Sequence, residues 1–376
     1  MEFSHVRIDD RPPCGRLGFC EPADLTGNGS PDVIVGGMGR IGEVNLLGKR
    51  IKLRQLPVSG WMIKHRESNV FWYENPGWER HEVARSPDLS VGGSVGDIDG
   101  DGEPELVVGQ NDGSELYWFD PPPDPRRSWE RYLITDDFQK YHDTAIADVN
   151  GDGEDEVLIL SQRSEVICYY DIPADPTMSP WPTSHRHVID RGLNVEGTAV
   201  ADVDGDGIPE VIAGPHVFKQ DGKDKWERRT IDPEWRWTRI AVAPVNGGAQ
   251  PDIVMTEGDL PYQEDRLGRL GVVDPETLAV TVLDDDLFCP HTLQVGDITG
   301  TGTLDILVGE MGLGKHAEPR LLCYENDGKK SFERIELDRG IPTHEAKLLD
   351  LTGTGELDIV SKSYGPDCHV DLWLRT

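Results

Sequence analysis

The sequence predicts an all-β fold, a seven-bladed β-propeller of four-stranded blades, and three observations predict it. One glycine-punctuated turn recurs seven times, acidic in six of them. Around the turns the same order of short runs repeats: small and apolar, then apolar, then aromatic, then polar. The chain also ends one strand short of a whole number of such units, and a spare strand stands at its beginning.

The turns read Asp24-Leu25-Thr26-Gly27-Asn28-Gly29, Asp97-Ile98-Asp99-Gly100-Asp101-Gly102, Asp148-Val149-Asn150-Gly151-Asp152-Gly153 and Asp202-Val203-Asp204-Gly205-Asp206-Gly207. Pro244-Val245-Asn246-Gly247-Gly248, Asp297-Ile298-Thr299-Gly300-Thr301-Gly302 and Asp350-Leu351-Thr352-Gly353-Thr354-Gly355 complete the set. Their first residues stand 73, 51, 54, 42, 53 and 53 apart. Such a period, with short strands, gives one blade per repeat. Thr198-Ala199-Val200-Ala201 enters a turn as a first strand, and Glu210-Val211-Ile212-Ala213-Gly214 leaves it as a second. Third strands are aromatic, as in Phe71-Trp72-Tyr73 and Tyr117-Trp118-Phe119. Fourth strands are polar, as in Trp129-Glu130-Arg131 and Phe332-Glu333-Arg334, which suits an outer edge facing water. After Asp350 only 26 residues remain, too few for a fourth strand. Phe3-Ser4-His5-Val6-Arg7-Ile8-Asp9 resembles the run His185–Asp190, so residues 2–8 are expected to complete the last blade and close the ring.

Composition agrees with one ring using the whole of residues 1–376. Hydrophobic residues make up 37% and charged residues 28%, a globular balance. The formal charge of −32 repels phosphate backbones, so no nucleic-acid partner is expected. No run approaches ~18 apolar residues, so no membrane span is expected. The six cysteines form no CxxC pair, and Cys168 and Cys323 sit in apolar runs. With no basic and apolar leader at the start, the expectation is a reduced, cytoplasmic chain.

Asp97–Glu105 and Asp202–Glu210 carry the pattern Asp-x-Asp-Gly-Asp-Gly-x-x-Glu after a small apolar strand, and Asp148–Glu156 carries it with Asn150 substituted. These segments resemble the FG-GAP/VCBS family of seven-bladed propellers, and the resemblance extends along the whole chain. It implies the fold; because that family spans adhesion, sugar-binding and sugar-modifying proteins, it implies no single activity.

Oxygen donors at alternate positions of a tight loop can wrap a hard cation. Structural Ca2+ is therefore expected at three turns: Asp97, Asp99, Asp101 and Glu105; Asp148, Asn150, Asp152 and Glu156; Asp202, Asp204, Asp206 and Glu210. The alternative is a plain turn in which Asp accepts backbone amides and Gly supplies positive φ. Threonines replace the middle acids at Thr299, Thr301, Thr352 and Thr354, where the plain turn is favoured.

Chemistry is expected on the opposite face. Six positions before each repeat's first residue stand Gly18, Val91, His142, Glu196, Thr238, His291 and His344, equivalent places around the channel mouth. Three imidazoles and a carboxylate there suit a divalent transition metal or Mg2+, or act without metal as general acid and base; channel-lining residues bonded to water are the third reading. Asp143 and Glu345 stand ready to orient an imidazole. Candidate auxiliary acids or bases are His316 and Tyr364. Candidate substrate contacts are Lys64, His65 and Arg66 in the insertion at 37–69, together with Tyr141, His216 and Arg239. A second insertion, at 256–269, carries Glu257, Asp259, Tyr262 and Arg266.

The histidine-lined mouth looks like that of the propeller domain of aldos-2-ulose dehydratases. That resemblance implies a carbohydrate-active lyase or dehydratase working by β-elimination on a keto-sugar or uronic-acid substrate. The competing expectation is a calcium-stiffened propeller that binds carbohydrate or protein without catalysis. Unequal loop lengths favour one unique site over repeated equivalent pockets.

Overall fold

Small apolar residues fill the first strand of each repeat because seven such strands must crowd around one axis. The computed structural model describes residues 1–38, 43–46, 49–52, 69–85, 89–222, 225–313, 315–316, 318–365 and 367–376. These form seven four-stranded antiparallel sheets and one two-stranded hairpin, Glu43–Leu46 with Lys49–Lys52. Each sheet is a blade. The third, for example, runs Tyr141–Ala147, Glu156–Ser161, Val166–Asp171 and Arg186–Arg191 in spatial order. Every first strand touches the first strand of the next blade, and that of the seventh touches that of the first, so the ring is complete.

The seventh blade holds Glu345–Leu349, Asp358–Lys362 and Val370–Arg375, and its outer strand is Phe3–Asp9. Phe3 pairs with Arg375 and Arg7 with Asp371, with a bulge between Arg7 and Asp9. The closing strand thus runs one residue beyond the expected 2–8. Asp371, nearly fully buried, takes bonds from His5 Nε2 at 2.8 Å and Arg7 Nε at 2.8 Å, which fastens the start of the chain to its end.

Packing between neighbouring blades holds the ring together. Trp118, Ile134, Tyr141, Val157, Cys168, Tyr170 and Trp181 form one apolar cluster that joins the second and third blades. Trp72, Trp118, Trp235 and Trp373 are almost wholly buried, and truncating such a side chain typically costs about 3–5 kcal/mol. In the turns, Gly100 and Gly102 take φ of 80° and 91°, a region that glycine enters without strain. The acid that ends each turn folds inward: Glu105 accepts from the amide of Ile98 at 2.6 Å, and Glu156 accepts from that of Val149 at 2.7 Å. Among the described residues no helix is long and apolar enough to cross a membrane.

Candidate acid–base site at the mouth of the ring

Blade equivalence places His142, Glu196, His291 and His344 just before or at the start of four first strands, and all four are buried. They form two groups. In the first, His142 Nε2 lies 2.8 Å from Glu196 Oε2 and its Nδ1 lies 2.8 Å from Asp143 Oδ2. Arg239 Nη1 stands 3.2 Å from Asp143 Oδ1. In the second, the ring of His291 stacks on His344 at 4.0 Å between centroids, and His344 stacks on Tyr364 at 4.5 Å. His291 Nδ1 donates to the carbonyl of His344 at 2.8 Å. Lys362 Nζ bonds to His344 Nδ1 and donates to the carbonyls of Leu17 at 3.0 Å and Gly18 at 2.6 Å. His291 and Arg239 both pack against Gly258, where an added Cβ would meet them at 3.2 Å.

The two groups carry different charge. Burial alone would lower the pKa of His142, but Glu196 and Asp143 outweigh it and raise the ring to about 9. His142 is therefore an imidazolium with both N–H groups committed. Asp143 is held below the usual carboxylate range: burial opposes this, and Arg239 and His142 overcome it. His291 and His344 are pushed well below the ordinary histidine value, first by burial and then by neighbouring cations and rings. Both are neutral at pH 7. A carbonyl can only accept, so Nδ1 of His291 bears the proton and Nε2 keeps its lone pair. Burial also lowers Lys362 to about 7 and raises Asp259 to about 6, the latter reinforced by Glu196. Burial raises the Tyr364 phenol, so it keeps its proton.

Three buried polar atoms gather here with no hydrogen-bond partner: Glu196 Oε1, Arg239 Nη1 and Gln162 Oε1. Arg239 Nη1 is within ion-pair range of Asp143 but lacks hydrogen-bond alignment. Unpaired buried groups cost about 1–3 kcal/mol each, so a water or other polar group brought to this cluster would be stabilised there. Along the axis lies a cavity of about 210 Å3 lined from all seven blades, including Glu21, Asp143, Arg239, His291, Glu345 and Lys347.

A metal at the channel mouth does not fit these residues. Carboxylates engage both nitrogens of His142, and Lys362 engages His344 Nδ1. Nor do three ligand atoms of the set lie within 4.8 Å of one another. A transition metal or Mg2+ needs lone pairs directed at one point. On the opposite face, Asp97, Asp99 and Asp101 do bring carboxylate oxygens together, which suits a hard cation such as Ca2+. At the third turn Asn150 instead donates to Glu156 Oε1 at 2.8 Å. The fourth gathers Asp202, Asp204 and Asp206, with Lys219 bonded to two of them.

Several expected residues stand elsewhere. Tyr141 is packed between blades, and its hydroxyl donates to the carbonyl of Ser114 at 2.7 Å. His316 stacks on Phe288 and approaches Glu310 at 3.6 Å, and His216 bonds to Thr230 at 3.1 Å. Among the described residues, none of the three has a hydrogen bond, ion pair or ring contact to either group. Lys64, His65 and Arg66 fall outside the described residues. Lys362 and Gln162 escaped sequence reasoning. A signal for Lys362 existed: twelve positions after each repeat's first residue stand Gly36, Gly109, Leu160, Gly214, Thr256, Gly309 and Lys362. Only one of these is charged.

Residues 97–159 and 148–213 each match the family model of the FG-GAP-like repeat. No curated protein matches the chain. Among solved structures, BBS1N in complex with ARL6DN is similar, in crystals soaked with mercury and with lead. Identity is 10% in both; the match covers 100% of this chain and 96% or 98% of that one, with TM-scores of 0.57 and 0.56. The V. cholerae biofilm matrix protein Bap1 is 11% identical, with 97% of this chain and 67% of that chain covered and a TM-score of 0.42. Likeness at this identity to the first two speaks for fold alone. With its own strand pairing and two matched repeats, the chain is a seven-bladed β-propeller that carries FG-GAP-like repeats.

Proposed function

We propose that the mouth of the ring is a metal-free acid–base site that acts on a carbohydrate by β-elimination, as a dehydratase or lyase. The observation that carries this reading is His291: a buried neutral imidazole with Nδ1 tied to a carbonyl and Nε2 without a protein partner among the described residues. It stands beside Arg239, which is within ion-pair range of Asp143 but makes no hydrogen bond through Nη1. In this reading Nε2 removes the proton next to a carbonyl or carboxylate of the sugar. The C–H electron pair becomes a C=C bond through an enolate whose charge Arg239 stabilises. The C–O bond at the next carbon then breaks, and Tyr364 protonates the departing oxygen. His142, clamped by Asp143 and Glu196, holds the arginine and carboxylates in place. The formal charge of −32 disfavours polyanions, so a neutral keto-sugar suits the site better than a uronic-acid chain.

The test is incubation with keto-sugars and uronic-acid oligosaccharides while following the ultraviolet absorbance of a new conjugated double bond. Turnover should fall by about 10²–10⁴ in His291→Ala with circular dichroism unchanged. Equal turnover in that variant, or no absorbance change with any sugar of the panel, overturns the reading.

One observation favours the non-catalytic alternative. A groove of about 430 Å3 between the third and fourth blades is lined by Asn150, Asp152, Tyr169, Asp171, His187 and Gln220. Aromatic rings beside carboxylate and amide groups suit a pyranose ring. Calorimetric titration with simple sugars, in the wild type and in His291→Ala, separates this groove from the mouth.

A further inference from the structure

One position on the third strand of each blade lies beside the turn, and strand register identifies it. Nine residues after each repeat's first residue, Val33, Leu106, Val157, Val211, Ile253, Ile306 and Ile359 pair with Tyr73, Phe119, Tyr170, Phe218, Val273, Tyr324 and Trp373. The residues that follow these partners are Glu74, Asp120, Asp171, Lys219, Asp274, Glu325 and Leu374. Five are acids, one is leucine, and only the fourth blade carries a cation.

The acids at this position sense the turn. Burial raises the pKa of Asp120, and Asp99 and Asp101 add to the shift. Asp171 likewise contributes to the raised value of Glu156. In the fourth blade the charge is reversed: Lys219 Nζ bonds to Asp204, lies 2.6 Å from Asp206 Oδ2 and 3.6 Å from Glu210 Oε1. An ammonium so placed sits among the oxygens that a divalent cation would need, and it repels that cation at short range.

We propose that Lys219 is a built-in counter-ion that takes the place of calcium at the fourth turn, so that Asp202, Asp204, Asp206 and Glu210 bind no divalent cation in this protein. The fourth turn has the same motif as the second, Asp-x-Asp-Gly-Asp-Gly-x-x-Glu, yet differs in the one side chain that reaches it from the third strand. Motif alone therefore overcounts the calcium turns by this one.

The experiment counts bound Ca2+ per chain by equilibrium dialysis after chelator treatment, using calcium alone as probe. Lys219→Asp, which restores the acid found at the second and third blades, should bind one more ion than the unaltered chain, whatever that chain binds. Asp204→Asn in the Lys219→Asp background should remove the extra ion. Asp204→Asn alone should leave the count unchanged. Equal counts in the unaltered chain and a folded Lys219→Asp overturn the proposal. So does the loss of one ion in Asp204→Asn alone, an arm that decides the matter even if Lys219→Asp fails to fold.

Discussion

His142 shows how a single side chain can be fixed by its neighbours rather than by its own chemistry. Two carboxylates hold its ring as a cation, with the pKa moved from 6.5 to about 9. A raised folded-state value means that the stabilisation is fully present below about pH 6.5 and is lost as pH rises through about 9. His142→Gln should leave Asp143 and Glu196 buried without their shared cation, a change that typically costs about 3–5 kcal/mol. Urea unfolding of both proteins from pH 6 to 10 should show the difference shrinking toward the alkaline end; a constant difference would deny the imidazolium. That His142 would face Glu196 was legible in the sequence, since both stand six positions before their turns. That it would be a clamped cation was not, because the decisive burial and the reach of Arg239 come from other blades. Lys362 could be singled out as the one charged residue at its repeat position, but its role could not, because two of its partners are the backbone carbonyls of Leu17 and Gly18, which leave no residue-type signature.

At the level of the element, the strand Phe3–Asp9 was readable because its pattern matched other fourth strands and the chain's end lacked one. Its bulge and its exact end were not, since register is set by the partner, Val370–Arg375. Removing residues 1–9 should bare one edge of the last blade and strip Asp371 of two partners. The expected outcome is a lower melting temperature together with concentration-dependent association in analytical ultracentrifugation. An equally stable, monodisperse truncation would show the strand to be dispensable. The second and fourth turns make a complementary point: identical motifs looked equivalent until the third strand brought Asp120 to one and Lys219 to the other.

For the molecule as a whole, a formal charge of −32 on 376 residues means sustained self-repulsion in the compact state. Raising sodium chloride from about 0.01 to 0.5 M shortens the screening length several-fold and should raise the melting temperature by a few degrees. A flat response would show that local pairing already balances the charge. The ring closure carries a different consequence, one of timing. Residues 3–9 are synthesised before six blades and their partner strand, Val370–Arg375, after them. The opening segment must wait unpaired through the synthesis of six blades. The same delay governs the mouth, because Lys362 of the seventh blade clasps the carbonyls of Leu17 and Gly18 in the first. A chain stopped anywhere before Lys362 has neither that clasp nor the partner of its closing strand, so the ring and the site are completed together.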